Sequence, residues 1–266
     1  MTGIPETPNT GGVIAAGGSV GVESRSLTPA RVLLGRAGSS YRTSTMLQLR
    51  ADHAAARDAL HEQLDLAEEP MASLVTRFGI FEVASSAGSF AEHLARPDLG
   101  RRLPAAAIER ITTLCPSPVD VQFVLGDGLS SAAVRTQVPA LLPLLVDTAT
   151  ERGLSVGQTF FVRNCRVGAL NDIGAAIDAE VVVLLVGERP GLATGESLSA
   201  YLAWRPRPGD TDERRNLISN IHDGGVLPGV AATRILALVE LLRLHGRSGF
   251  EIRESAALPG VAPPSA

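Results

Sequence analysis

Glu188 and Arg189 are the residues best placed for chemistry in this chain. They lie in Glu180 to Leu192, EVVVLLVGERPGL, directly after the unbroken apolar run Val181 to Val186. A carboxylate accepts hydrogen bonds and a guanidinium donates them, so the pair could bind each other, a partner subunit or a ligand. Pro190 has a fixed φ and Gly191 tolerates a positive one, which suits a turn. At this point two readings stay open: a strand ending in an ordinary polar turn, or a strand that delivers a ligand site.

The stretch Gly126-Asp127-Gly128-Leu129-Ser130 is a second candidate. It falls between an expected strand and an expected helix, where backbone amides and a helix N-terminus can receive an anionic or polar group. It lacks the G-x-G-x-x-G spacing of a dinucleotide fingerprint, and a plain tight turn accounts for it equally well. The histidines at 53, 61, 93, 222 and 245 form no H-E-x-x-H, and Cys115 and Cys165 are far apart, so no metal set emerges. His222, in SNIHDGG, reads as a residue that caps or packs a loop. Ser130 has no G-x-S-x-G elbow around it. All 24 basic residues are arginine, which excludes Schiff-base chemistry, a P-loop lysine and Ser-Lys hydrolysis. No catalytic carboxylate pair and no nucleophile with its base stands out, so binding is favoured over self-contained catalysis.

The elements that would position these groups follow from hydrophobic period. Val181 to Val186 is β-branched and short, as suits a strand buried on both faces. Val119 to Leu125 and Gln158 to Arg163 read as further strands, and Leu198 to Trp204 as a fourth. Pro104 to Leu114, Ser130 or Ser131 to about Thr150, a short segment opening at Asn171, and about Val230 to His245 read as helices. Strands alternating with helices predict an α/β fold with a doubly wound, mostly parallel sheet. Ahead of it, Thr28-Pro29 resembles a helix cap with a first-turn proline, Gly35 to Ser40 is a glycine-rich turn, and Thr43 to Glu69 carries apolar residues at helical spacing, as one long helix or two short ones that Pro70 ends. Residues 71 to 96 are ambiguous, with a short strand suggested at Phe78 to Val83. Arg96 to Leu103, RPDLGRRL, reads as a solvated segment or as an anion or subunit contact.

This divides the chain into a flexible N-terminal arm over 1–28, an N-terminal helical segment over 29–96, an α/β domain over 97–253, and a disordered tail over 254–266. With 266 residues, 45% hydrophobic and 20% charged, it can bury a sizeable core. A net charge of −4 gives no basic excess to suggest nucleic acid, and no apolar run is long enough to span a membrane. Nothing at the N-terminus reads as a secretory signal, and two cysteines suit reduced thiols in a cytoplasmic protein.

The segments RPDLGRRL (96–103), DVQFVLGDGLSSAAV (120–134), FFVRNCRVGALNDIG (160–174), VVVLLVGERPGLATGESLSAYLAWRPRPG (181–209) and ERRNLISNIHDGG (213–225) together resemble the ethanolamine ammonia-lyase light chain. The resemblance spans roughly residues 28–253. It implies a subunit of an adenosylcobalamin-dependent radical lyase that converts ethanolamine to acetaldehyde and ammonia. It further implies a hetero-oligomer in which a separate heavy chain holds ethanolamine and the cofactor's reactive face, while 97–253 forms part of the cobalamin site. Carried over position by position, the family's cofactor contacts fall on Val167, Glu188 and Leu217. Family members often have cysteine at the last of these, so a sulfur-specific role is in doubt here. Asp127, Ser130 and His222 are weaker candidates, chosen for strand-end position. The chain lacks the Asp-x-His-x-x-Gly signature of proteins that replace the cofactor's lower ligand with histidine, which agrees with base-on binding. The family's setting implies a cytoplasmic place, with a bacterial microcompartment as the alternative. Two rival readings are a stand-alone nucleotide- or flavin-binding enzyme on a doubly wound sheet, and a purely structural or targeting subunit.

Overall fold

A computed structural model describes residues 34–254; the arm over 1–28, the cap read at Thr28-Pro29 and the tail beyond Glu254 lie outside them. The chain divides into two compact units between Gln48 and Leu49. In the first, the glycine-rich turn closes a hairpin of β1 (Arg36–Ala37) and β2 (Ser40–Tyr41), with Gly38 at φ 63°. Helix α1 (Thr43–His61) begins in this unit and ends in the second, and none of its residues is buried. It stops well before Pro70. Leu64 leaves the helical path and is buried in the core.

Pro70 instead precedes α2 (Met71–Phe78), which ends at Gly79 in the left-handed region and leads into β3 (Phe81–Ala84). Helix α3 (Phe90–Ala95) follows. Ser89 Oγ accepts the Glu92 N–H at 3.2 Å and the Glu92 carboxylate accepts the Gly88 N–H at 2.8 Å. This is a serine N-cap with the glutamate reaching back one residue further than in a capping box, and the S-x-x-E spacing that announces it was present in the ambiguous stretch. A short 3-10 turn (Leu99–Arg101) leads to α4 (Ala105–Leu114), β4 (Val119–Gly126), α5 (Ser131–Glu151), β5 (Phe160–Arg163), α6 (Ala169–Ala176), β6 (Ala179–Gly187), β7 (Leu198–Trp204), β8 (Asn216–Ile221) and α7 (Pro228–His245).

Six strands form one sheet in the order β3-β5-β4-β6-β7-β8. The first four are mutually parallel, while β7 runs antiparallel to both β6 and β8. The mostly parallel α/β sheet expected from the sequence is therefore present, with an antiparallel extension. Its cause is connection length: Glu188 to Ser197 is shorter than the dozen or so residues a parallel crossover needs, so β7 must turn back along β6. The strand at Asn216–Ile221 was not anticipated, because only one side of it is buried and its apolar pattern is broken at Ser219 and Asn220.

β6 is central and every residue but Glu180 is buried. Val181, Val183 and Leu185 face a core built with Val134, Val138, Leu141 and Leu145 of α5 and Ile235, Val239 and Leu242 of α7. Val182, Leu184 and Val186 face the other layer, with Ile111 of α4 and Leu170 and Ile173 of α6. Each such buried side chain contributes about 1.5–3 kcal/mol relative to exposure, which is why the strand reads as continuous hydrophobe. Among the described residues no helix is long and apolar enough to cross a membrane.

Candidate functional site

The C-terminal ends of β4, β5 and β6 meet the start of β7 at one rim of the sheet. There Gly128, at φ 60°, brings its backbone against Gly187; a Cβ on Gly128 would overlap the Gly187 carbonyl oxygen, and one on Gly187 would overlap that of Ser130. Leu129 N–H donates to Gly187 O at 3.0 Å and seals the contact. Glycine is needed at both positions because two backbones touch with no room for a side chain.

Asp127 fastens the neighbouring turn. Its Oδ2 accepts Asn164 N–H at 2.7 Å and its Oδ1 accepts Cys165 N–H at 2.8 Å, which secures the loop after β5 with Asn164 at φ 55°. Burial pushes the Asp127 carboxyl up to about 6, against the opposing effect of those N–H donors and of Arg163. Ser130 caps α5 by accepting Ala133 N–H at 3.1 Å and donates to Gly195 O at 2.5 Å. His222 Nδ1 accepts Gly224 N–H at 3.0 Å, so its proton sits on Nε2, which donates to Asn220 Oδ1 at 2.8 Å. All three residues are buried and spend their polar atoms on loops or, for Ser130, also on a helix cap; His222 is the loop-fastening residue the sequence suggested.

His93 is fully buried beneath the same rim, its Nε2 2.8 Å from Gly128 O, with Nδ1 unpartnered. Burial, then the charge of Arg166, holds this imidazole below its ordinary value. A neutral ring with the proton on Nε2 fits both facts. Arg166 Nη2 donates to His93 O at 2.9 Å, and Arg166 N–H donates to Gly100 O at 2.8 Å. RPDLGRRL thus packs behind the turn after β5: a Cβ on Gly100 would come within 3.0 Å of His93 Nδ1.

Glu188 follows β6 and is held from three directions. Its Oε1 accepts Ser199 Oγ–H at 2.6 Å and Asn220 N–H at 2.9 Å, and its Oε2 accepts Ser197 Oγ–H at 2.8 Å. The β7–β8 ladder shifts register between Leu198 and Ala200, and Asn220 sits at φ 61° in that irregularity. A bulge leaves a backbone donor outside the ladder, and Glu188 satisfies it. The carboxylate is therefore oriented before any ligand arrives.

Beside it lies a cleft of about 210 Å³ whose lining includes Val167, Glu188, Arg166, Arg189, Cys165 and Tyr201. Val167 and Glu188 share this cleft. Leu217 does not line it, but stands directly opposite Tyr201 in the β7–β8 pairing, on the same sheet face, and is 47% exposed. Burial, then the negative charge of Glu188, raises the Tyr201 phenol above its ordinary value. Ser197, Ser199 and Tyr201 were not singled out by sequence reasoning. The signal was present as alternate positions of S-L-S-A-Y, at the entry to and within β7, where alternate residues share a face. At about 210 Å³ the cleft is smaller than the roughly 300–1,000 Å³ of self-contained small-molecule sites. Among the described residues no group of three or more His, Cys, Asp or Glu could hold a metal ion.

The family model of the ethanolamine ammonia-lyase light chain matches residues 21–253. The ethanolamine ammonia-lyase small subunit of Clostridium perfringens is 41% identical over 232 residues, 87% of this chain and 77% of that protein. That of Rhodopseudomonas palustris is 39% identical over 234 residues, 88% and 90% of the two chains. That of Clostridium acetobutylicum is 36% identical over 231 residues, 87% and 93%.

Proposed function

The chain belongs to the ethanolamine ammonia-lyase light chain family, and from that premise we propose that it is the small subunit of an adenosylcobalamin-dependent ethanolamine ammonia-lyase. In this reading it assembles with a heavy chain that binds ethanolamine, and its strand-end cleft covers part of the cofactor. A cytoplasmic location, or the interior of a bacterial microcompartment, goes with it.

The observation that carries the reading is the incomplete cleft. Val167 and Glu188 open into one small space, Leu217 lies on the same sheet face, and neither a nucleophile with its base nor a dinucleotide fingerprint accompanies them. The donor set suits the cofactor: a preoriented carboxylate for amide N–H and hydroxyl groups, a phenol, an apolar valine and leucine for the ring edge, and a guanidinium with a buried, unpartnered Nε. When bound, adenosylcobalamin supplies the radical that abstracts hydrogen from substrate, by homolysis of its cobalt–carbon bond. The work of this chain is binding and shielding. Glu188 would accept from the cofactor's polar fringe on lone pairs that Ser197, Ser199 and Asn220 leave free. Val167 and Leu217 would exclude water from the ring edge, and the Asp127 and His93 contacts keep the turn that carries Val167 in register with β4.

The test is ethanolamine deamination by this chain with adenosylcobalamin, with and without the heavy chain. Activity confined to the mixture supports the reading. Activity of the chain alone would favour a stand-alone enzyme, and an inactive mixture that demonstrably assembles would overturn the enzymatic assignment.

A further inference from the structure

Most arginines at this end of the sheet are neutralised within the fold. Arg163 pairs with Glu82 at 2.5 Å, Arg102 with Asp172 at 3.0 Å, and Arg215 with Asp212. Arg166 and Arg189 are different: both line the cleft, and among the described residues neither has a carboxylate within ion-pair distance. Among the described residues the one carboxylate lining the cleft, Glu188, is fastened by two hydroxyls and a backbone N–H and lies beyond ion-pair distance of both guanidinium groups. Arg166 is positioned by its bond to His93 O, while its Nε is buried without an acceptor. Arg101 adds a third positive charge, its side chain packed against Gly168 and its partner Asp212 no closer than 3.6 Å. Burial, then the charges of Arg189 and Arg101, holds the Arg166 guanidinium below its ordinary value.

Like charges converging in a partly desolvated cleft cost free energy unless an anion completes the site, and guanidinium forks match phosphate oxygens. Amide side chains on the corrin fringe are neutral and would leave the charge uncompensated. The cofactor's peripheral anion is the phosphodiester that joins its corrin to the nucleotide tail. Resting on the cobalamin reading above, we propose that Arg166 and Arg189 bind this phosphodiester, next to Val167. The two arginines are then the affinity determinants for the tail, while Glu188, Val167 and Leu217 serve the uncharged fringe.

Three corrinoids separate the contributions: adenosylcobalamin, cobinamide phosphate, which keeps a phosphate but lacks the base, and cobinamide, which lacks both. Each is titrated by equilibrium dialysis against the assembled complex carrying wild-type, Arg166→Gln or Arg189→Gln light chain. Arg189→Gln alters an exposed side chain and keeps the test alive where Arg166→Gln, which loses the His93 contact, fails to fold. The expected result is a loss of about 10–100-fold in affinity for adenosylcobalamin and cobinamide phosphate, with cobinamide unchanged. An equal loss for all three ligands, or none for any, overturns the proposal. So does an Arg189→Gln complex that falls apart in sedimentation, because the anion would then be a heavy-chain carboxylate. A wild-type complex that binds no corrinoid at all refutes the cobalamin reading itself, and the proposal with it.

Discussion

Replacing Glu188 with alanine should damage the fold before it affects any ligand. The substitution strips acceptors from Ser197 Oγ, Ser199 Oγ and Asn220 N–H, and the two serines are 7% and 3% exposed. A buried hydroxyl left without a partner costs about 1–3 kcal/mol, whereas Asn220, being exposed, can turn to water. The sum is about 2–6 kcal/mol. A chain of this size shifts by roughly 2–4 °C in Tm per kcal/mol, so Glu188→Ala should melt about 4–24 °C lower. Glutamine keeps one carbonyl oxygen for Ser199 and Asn220 and turns its amide towards Ser197, whose hydroxyl can accept instead. Only charge assistance is lost, so Glu188→Gln should cost about 1 kcal/mol. The assay is thermal unfolding of the purified chain by circular dichroism, supported by urea midpoints. A Glu188→Ala chain as stable as wild type, or a Glu188→Gln chain as damaged as Glu188→Ala, would refute the seating of this carboxylate on the β7–β8 bulge. The same comparison makes Glu188→Gln the cleaner substitution for cofactor binding.

Asp127 predicts a pH dependence of opposite sign to that of a salt-bridged carboxylate. Its folded value of about 6 lies above the ordinary 3.8, so its contribution is fully present below about 3.8 and is lost as pH rises through about 6, by about 3 kcal/mol. Urea unfolding of wild type and Asp127→Asn between pH 4 and 7 reads this as a difference that changes across the window; a constant difference would contradict it. Gly128→Ala should cost about 2–5 kcal/mol, from positive φ plus the clash with Gly187, whereas Gly153→Ala, at φ 78° with open space around it, should cost about 1. Equal melting points for the two glycine variants would show that the close approach of β4 and β6 is not tight.

Much of this protein is legible without coordinates. Val181 to Val186 reads as a strand covered on both faces, because six consecutive apolar residues leave no face for water and their shortness and β-branched content suit a strand better than a helix. The helix read at 104–114 from its leading proline and the one read at about 230–245 from apolar spacing are present as Ala105–Leu114 and Pro228–His245. The family was also within reach, since GERPGL, ESLSAY and SNIHDGG keep their order and spacing whatever the fold. Tertiary structure alone decided the rest. Helical period from Met46 to Leu60 could not reveal that, among the described residues, none in α1 is fully buried, because amphipathic spacing does not name the surface it meets. Nor could it show that Asn220, on β8, donates to Glu188 after β6, because the bulge that frees its N–H exists only once β7 and β8 pair. Arg166 and Arg189 are 23 positions apart in a chain with 24 basic residues, and nothing local distinguishes them from their paired neighbours. Folding does so by giving Arg102, Arg163 and Arg215 carboxylates and leaving these two facing one cleft. Electrostatic pairing depends on distance in space, and sequence separation carries no information about it.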